Sequence, residues 1–492
     1  MDRKAYLKEM DKIEAVVKQG PFADNWDSLS AFEPPRWMRE AKFGIFIHWG
    51  PFSVPAYHDW YARNMYIKDS PEYEHHIKTY GAHKDFGYKD FIPMLTAEKF
   101  DPNEWAEIIK QSGAKYVVPV AEHHDGFQMY KSELSHWNAY EMGPKRDVLA
   151  DLLEACNKAG IVGGISSHRL EHWFFMGHGK AFESDVTENL TSEDLYWPAM
   201  PEPEHQDLFG EPSPNLEYLE DWLLRCCEIV DKYRPHLVYF DWWIQHNAVK
   251  PYLKKFVAYY YNRAAEWGFE PAVTYKHDSL MFGTGIVEIE RGKFADIQPF
   301  FWQTDTAVAK NSWCYSVNAQ YKKAKTLICD LIDVVSKNGA LLLNIGPKPD
   351  GTIPEADKLI LKEIGDWLQI NGEAIYGTKV WRKAAEGPTQ TLGGQFTDGN
   401  EPEFTCQDIR FTVRGSYLYA TVLKPPEDGL VRICSLAEKD ASRLPVFHGI
   451  IKNVETLCQS KALTWKRDSD GLNIKFEPVR HDLPIVFKIL ID

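Results

Sequence analysis

The feature that most constrains the fold is a series of short apolar runs that are continuous rather than alternating. They are Phe43–His48, Tyr116–Ala121, Ile161–Ser166, Leu237–Asp241, Ala272–Tyr275 and Leu341–Ile345, with weaker candidates at 287–290 and 297–302. An antiparallel strand with one wet face alternates polar and apolar residues, whereas a strand buried on both faces does not. Eight such runs separated by helical stretches predict an α/β chain with a (β/α)8-like TIM barrel. The intervening segments fit. Asp101-Pro102 is a helix-start signal ahead of Asn103–Ser112, and 216–232 is amphipathic up to Arg234-Pro235. Pro354–Ile370 sets Ile360, Ile364, Trp367 and Leu368 on one stripe and stops at Asn371-Gly372.

After about residue 378 the texture changes to short β-type runs broken by turn residues: Ile409–Val413, Tyr417–Leu423, Val431–Cys434 and Ile485–Ile491. This predicts a catalytic barrel with a helical lead-in over 1–378 and a C-terminal antiparallel β-sandwich over 379–492 that packs on it. A length of 492 residues suits that two-part division.

Charge and composition narrow the function. A formal net charge of -15 argues against nucleic acid and against an anionic membrane surface as partners. No window resembles a membrane span. The opening MDRKAYLKEMDKIEAVV has no apolar signal-type core, and the eight cysteines are scattered without a CxxC pair. A cytoplasmic location with reduced thiols is the expectation. The 17 tryptophans suit both an aromatic core and faces for stacking on sugar rings.

In a barrel the reacting groups stand at the C-terminal ends of the strands. Those ends deliver His48; Glu122, His123, His124 and Asp125; His168; Asp241 with Trp242 and Trp243; Lys276 and His277; Glu288 and Glu290; and Trp302 followed by Gln303. Carboxylates, imidazoles and indoles in this mixture are the equipment of a glycosidase. Asp241 closes an apolar strand ahead of two indoles, which suits a nucleophile; a helix cap or an ion pair is the plainer alternative. Double displacement needs a second carboxyl about 5–5.5 Å away. Glu288 and Glu290 share a face if the segment is extended; Glu290 is preferred, with Glu288 second and pairing to Arg291 or Lys293 as the structural alternative. Glu122-His123-His124-Asp125 has the residue types of a metal site. Neighbours on an extended chain point apart, and no HExxH or carboxylate triad accompanies them, so contacts to sugar hydroxyls are favoured over metal. No phosphate-binding or dinucleotide loop and no GxSxG occurs, so no organic cofactor is expected.

Six motifs carry a family resemblance. They are Trp37-Met38 with Lys42 through Gly50; Asp59-Trp60-Tyr61; His123-His124-Asp125-Gly126-Phe127; the strand ending at Asp241; Phe301-Trp302-Gln303-Thr304-Asp305 with Ser312-Trp313; and Asn338-Gly339 through Gly346-Pro347, then Asp350-Gly351. In this order they resemble the α-L-fucosidases of glycoside hydrolase family 29, over about residues 30–378. The resemblance implies a retaining exo-glycosidase that releases L-fucose from an α-L-fucosylated oligosaccharide or glycoside, with Asp241 as nucleophile and a separate acid/base. His48, Trp60, His123, His124 and His168 match positions that hold the sugar. Asp59, Trp242, Lys276 and Trp302 complete the expected binding set, with Trp242, Trp302 and Phe301 candidates for the patch under the C5 methyl. The chain departs from many relatives in Asp59 for Glu, Gln303 for Glu and Lys276 for Arg. A related sugar such as an α-L-galactoside, or fucose binding without catalysis, are the competing readings. Linkage, aglycone and oligomeric state stay open at this level.

Overall fold

The computed structural model describes residues 3–205, 207–399, 403–438, 447–458 and 463–492. Eight parallel strands close into a barrel: β1 Phe43–Ile47, β2 Tyr116–Glu122, β3 Val162–Ser167, β4 Leu237–Phe240, β5 Ala272–Tyr275, β6 Ile286–Glu290, β7 Trp302–Ala307 and β8 Gly339–Ile345. Closure is made by β1, which pairs with β2 on one side and β8 on the other. β1, β2, β4, β5, β7 and β8 are buried along their whole length, as strands covered on both faces must be.

Helices Pro102–Gln111, Val148–Lys158, Leu216–Tyr233, Lys250–Trp267 and Ala324–Ser336 cross between strands, and Glu355–Asn371 follows β8. Their starts are chemical: Asp101, Asp147 and Asn215 each accept a backbone N–H of the first turn. Gly268, at φ 77°, ends Lys250–Trp267 in the left-handed conformation. No helix crosses between β5 and β6 or between β6 and β7, where the expectation of regular alternation fails. The second gap is edged by the C-terminal region. Lys293 and Gly394 exchange backbone hydrogen bonds, Phe396 N–H donates to the Glu290 carbonyl (3.0 Å) and Asp398 N–H to that of Arg291 (2.9 Å).

The seventh strand also differs from the expected 297–302. It begins at Trp302, where the run was read to end, and continues through the polar sequence Gln303-Thr304-Asp305-Thr306.

Beyond the barrel lie β9 Lys379–Glu386, β10 Ile409–Arg414, β11 Tyr417–Val422, β12 Leu430–Ile433, β13 Ile451–Thr456, β14 Thr464–Arg467, β15 Leu472–Lys475 and β16 Ile485–Ile491. They form a five-stranded sheet ordered β13-β16-β11-β10-β9 and a three-stranded sheet ordered β12-β15-β14, with Ile409, Phe411, Leu418, Ile433 and Ile474 in the core between them. Tyr419, Leu423 and Val486 join the core of the barrel helices instead. The same seam is pinned by Asp333, which receives Arg410 of β10 and Lys337. Among the described residues, no helix is long and apolar enough to cross a membrane.

Candidate active site

The C-terminal ends of the strands surround a cavity of about 340 Å³ lined by Phe46, His48, Asp59, Trp60, His123, His124, His168, Glu171, Tyr239, Asp241, Trp242, Lys276, Glu290, Trp313 and Phe396. Its size suits a small ligand. Hollows of about 910 Å³ at the barrel base and about 760 Å³ on the C-terminal sheet are larger, but neither collects a cluster of buried titratable groups.

Lys276 is the hub. Its side chain is 2% exposed, and its Nζ donates to Asp241 Oδ1 at 2.9 Å and to Glu290 Oε2 at 2.8 Å. The two carboxylate oxygens are therefore no farther apart than those two lengths together, 5.7 Å. Asp305 Oδ2 lies 3.8 Å from the same ammonium and accepts the Tyr239 hydroxyl at 2.6 Å. Desolvation alone would strip the charge from a buried lysine; three surrounding carboxyls reverse that and hold the ammonium form well above the ordinary range.

Asp241 keeps 14% of its side chain open to the cavity. Its Oδ2 lies 2.9 Å from His168 Nδ1 and 3.4 Å from His124 Nε2. An ionised carboxylate only accepts, so His168 Nδ1 carries the proton and its Nε2 takes the Ser166 hydroxyl at 3.0 Å. Burial pushes Asp241 upward, but Lys276 and the two imidazoles outweigh it and hold the carboxyl well below the usual range. His124 is buried, yet Glu171 and Asp241 on either side raise it to about 9, so it stands as an imidazolium at neutral pH. Glu171 is raised to about 7, chiefly by burial. His48 and His123 are held well below the ordinary value, first by burial and then by neighbouring imidazoles, and stay neutral. His48 Nδ1 meets Asn344 Oδ1 at 2.6 Å, while Asn344 Nδ2 donates to the Trp313 carbonyl. That leaves His48 Nε2 as an acceptor.

Glu290 lines the cavity, and its Oε2 takes both Lys276 and the Trp242 indole N–H, the latter at 2.8 Å. Glu288 shares its inward face but stands deeper in the barrel, outside the cavity lining. It is 2% exposed and receives the Gln303 amide at 2.6 Å; Gln303 in turn accepts the Tyr116 hydroxyl at 2.7 Å. Burial, with Asp305 close by, drives Glu288 well above the carboxylate range. A glutamate at 303 would set a second carboxyl against it, whereas the amide of Gln303 donates.

Trp302 is a correction to the expected binding set. It starts β7, so it sits at the opposite end of the barrel from the cavity. Its indole is fully buried against Phe294 and Val334 and donates to the Lys337 carbonyl at 2.9 Å. Phe301 is likewise away from the cavity, at the barrel base under Lys42. Glu122 turns outward to Arg169 and Arg225, and Asp125 accepts the Tyr88 hydroxyl, so both serve the framework. His123 and His124 nevertheless both reach the cavity, because β2 ends at Glu122 and the chain is no longer extended there.

The sequence reading missed Phe46, Glu171, Tyr239, Asp305, Trp313 and Phe396 as parts of the site. Phe46 and Tyr239 were findable, since they precede His48 and Asp241 by two residues and share their faces. Glu171 lies in a short 3-10 turn, and Phe396 arrives from the C-terminal region, so neither has a local signal. Two groups have the donor set of a cation site: His48, His123 and His168, and His124, His168 and Asp241, each with ligand atoms within 4.8 Å of one another. In the second group, the atoms already bond one another. His48 Nε2 and the His123 ring equally suit sugar hydroxyls.

The family model for alpha-L-fucosidase matches residues 10–373. Human tissue alpha-L-fucosidase is 30% identical over 438 residues, covering 87% of this chain and 84% of that protein. Human plasma alpha-L-fucosidase is 33% identical over 377 residues, 73% of each chain. Among solved structures, an alpha-fucosidase from Thermotoga maritima in complex with fucose is similar at 30% identity and a TM-score of 0.72, covering 95% of this chain and 100% of that one.

Proposed function

The chain belongs to the α-L-fucosidase family, and from that premise we propose that it releases L-fucose from α-L-fucosides by double displacement, with Asp241 as nucleophile and Glu290 as acid/base. The observation that carries this reading is the Lys276 ammonium shared between the two carboxyls, which bounds their nearest oxygens at 5.7 Å. Retaining glycosidases set their carboxyls about 5–5.5 Å apart, whereas inverting ones leave about 6.5–9.5 Å for a water.

In the first step an Asp241 oxygen attacks the anomeric carbon as the bond to the leaving oxygen breaks. Lys276, His168 and His124 keep that carboxylate ionised and aimed. Glu290 Oε2 is taken by Lys276 and Trp242, which leaves Oε1 to hand its proton to the departing oxygen. The product is a β-linked fucosyl ester on Asp241. In the second step Glu290, now ionised, takes a proton from water as that water attacks the same carbon, returning free Asp241 and α-L-fucose. The neutral His48 and His123, with Asp59, supply acceptors for sugar hydroxyls. Phe46, Trp60 and Trp313 supply apolar faces suited to the ring and its methyl.

The test is hydrolysis of p-nitrophenyl α-L-fucoside by wild type, Asp241→Gly and Glu290→Ala, with and without azide. Direct attack by azide in Asp241→Gly gives β-fucosyl azide. Attack on the trapped ester in Glu290→Ala gives α-fucosyl azide. The reverse pattern, or full activity in either variant without azide, refutes the assignment.

A further inference from the structure

We propose that Phe396, brought to the mouth of the barrel by the C-terminal region, forms with Trp242 a platform for the leaving group, favouring fucose attached to a sugar that offers a C–H face for stacking. The inference rests on the fucosidase reading above and adds the leaving-group class to it.

Position is the first argument. The leaving oxygen must depart on the side of the proton donor. Glu290 is held by the Trp242 indole N–H, and Phe396 lies nearly parallel to Trp242, with ring centroids 6.3 Å apart and planes 17° from coplanar. His277 continues the row, its ring 4.1 Å from Trp242. The Phe396 N–H also bonds to the Glu290 carbonyl at 3.0 Å, so acid and platform share one piece of backbone.

Rigidity is the second. Single exposed apolar residues are common and need no explanation. Phe396 differs because it is 53% exposed while lining the cavity and sitting on a clamped backbone. Its φ is 53°, a left-handed conformation that disfavours any side chain with a Cβ. The segment is held on one side by the paired backbones of Gly394 and Lys293. On the other side Asp398 accepts Thr306, Arg291 and Lys322. A rigid aromatic with an open face loses little freedom when a ligand covers it, and a sugar C–H surface is the complement such a face stacks on.

The experiment compares kcat/KM for α-L-fucosyl fluoride, whose leaving group has nothing to stack, with kcat/KM for a panel of fucosyl-hexose disaccharides. Wild type, Phe396→Ala and Phe396→Trp are assayed. In Phe396→Ala the disaccharide-to-fluoride ratio falls about two- to twelve-fold for the best disaccharide, and Phe396→Trp restores it. An unchanged ratio overturns the proposal, as does an equal loss on both substrates, which would mark Phe396 as a support for Glu290. Wild type that cleaves the fluoride but none of the disaccharides overturns it too. Wild type that cleaves neither refutes the fucosidase reading beneath it.

Discussion

Replacing Lys276 with methionine removes the one cation that lies between Asp241 and Glu290. Nζ is 2.9 Å from the first and 2.8 Å from the second, so the ionised Asp241 loses its nearest counter-charge while Glu290, protonated for the first step, offers none in return. At an effective dielectric of about 20, an ammonium at 2.9 Å attracts that carboxylate by about 6 kcal/mol, and the cost of burying the ammonium offsets about half, leaving about 3 kcal/mol. That is worth about two orders of magnitude in rate if the reaction requires Asp241 to stay ionised. The sign follows from the groups around Asp241. Burial raises its pKa, and Lys276 is the largest of the opposing influences. Without Lys276 the carboxyl moves up, so the acid limb of the pH profile moves to higher pH. The assay is kcat/KM on p-nitrophenyl α-L-fucoside across the pH range, for wild type, Lys276→Met and Lys276→Arg. The expectation is a fall of about 10²-fold near neutrality in Lys276→Met, an acid limb displaced upward, and Lys276→Arg within about tenfold of wild type because it keeps the charge. An acid limb that stays in place, or Lys276→Arg failing as badly as Lys276→Met, would refute the role given to this ammonium.

Three further perturbations separate framework from chemistry. Glu288 is held protonated by burial and by Asp305, so the neutral isostere in Glu288→Gln changes kcat/KM by less than about threefold; a hundredfold loss would return Glu288 to the catalytic role. Trp302→Phe loses the bond to the Lys337 carbonyl and part of a buried indole, for about 1–3 kcal/mol measured as a shift in urea midpoint, while kcat/KM per folded molecule holds; a selective loss of sugar affinity would contradict its placement. Asp333→Ala takes the carboxylate partner from Arg410 and Lys337 in the seam, while Lys293 keeps Asp330, and costs about 3–5 kcal/mol at pH 7. Burial raises this carboxyl, but the three cations hold it below its ordinary value. A depressed carboxyl contributes stability above the unfolded value of about 4 and loses it as pH falls through the folded value, so the gap between wild type and Asp333→Ala narrows below about pH 4. A gap in urea midpoint that is constant with pH would contradict the pairing.

Much of the barrel was legible because its strands obey one rule. β1, β2, β4, β5 and β8 are apolar runs bounded by turn signals, and burial on both faces demands that pattern. The cap at Asp101 was legible for an equally local reason, since one side chain satisfies the first-turn N–H groups next to it. The short strand β14 had no such signal, because its four residues only alternate between exposed and half-buried. Asp241 and Glu290 were found as carboxyls at the ends of strands. What the sequence could not supply was depth, and depth separates Glu290 in the cavity wall from Glu288 two residues below it.

β7 departs from the apolar pattern for a physical reason. Trp302-Gln303-Thr304-Asp305-Thr306-Ala307 is buried throughout and yet mostly polar, so a search for apolar runs stops where the strand begins. Such a strand survives burial only if each polar group has a partner, and each does. Gln303 serves Glu288 and Tyr116; Thr304 donates to the carbonyls of Ile289 and Gly292; Asp305 takes Tyr239 and faces Lys276; Thr306 meets Asp398 and Lys322. Those partners run from the barrel interior through the Lys276 ammonium to the C-terminal segment that carries Phe396. The strand that breaks the hydrophobic pattern is thus the one that wires the site together. Local patterning fails there because a network of buried partners has replaced the hydrophobic effect as the reason for the sequence.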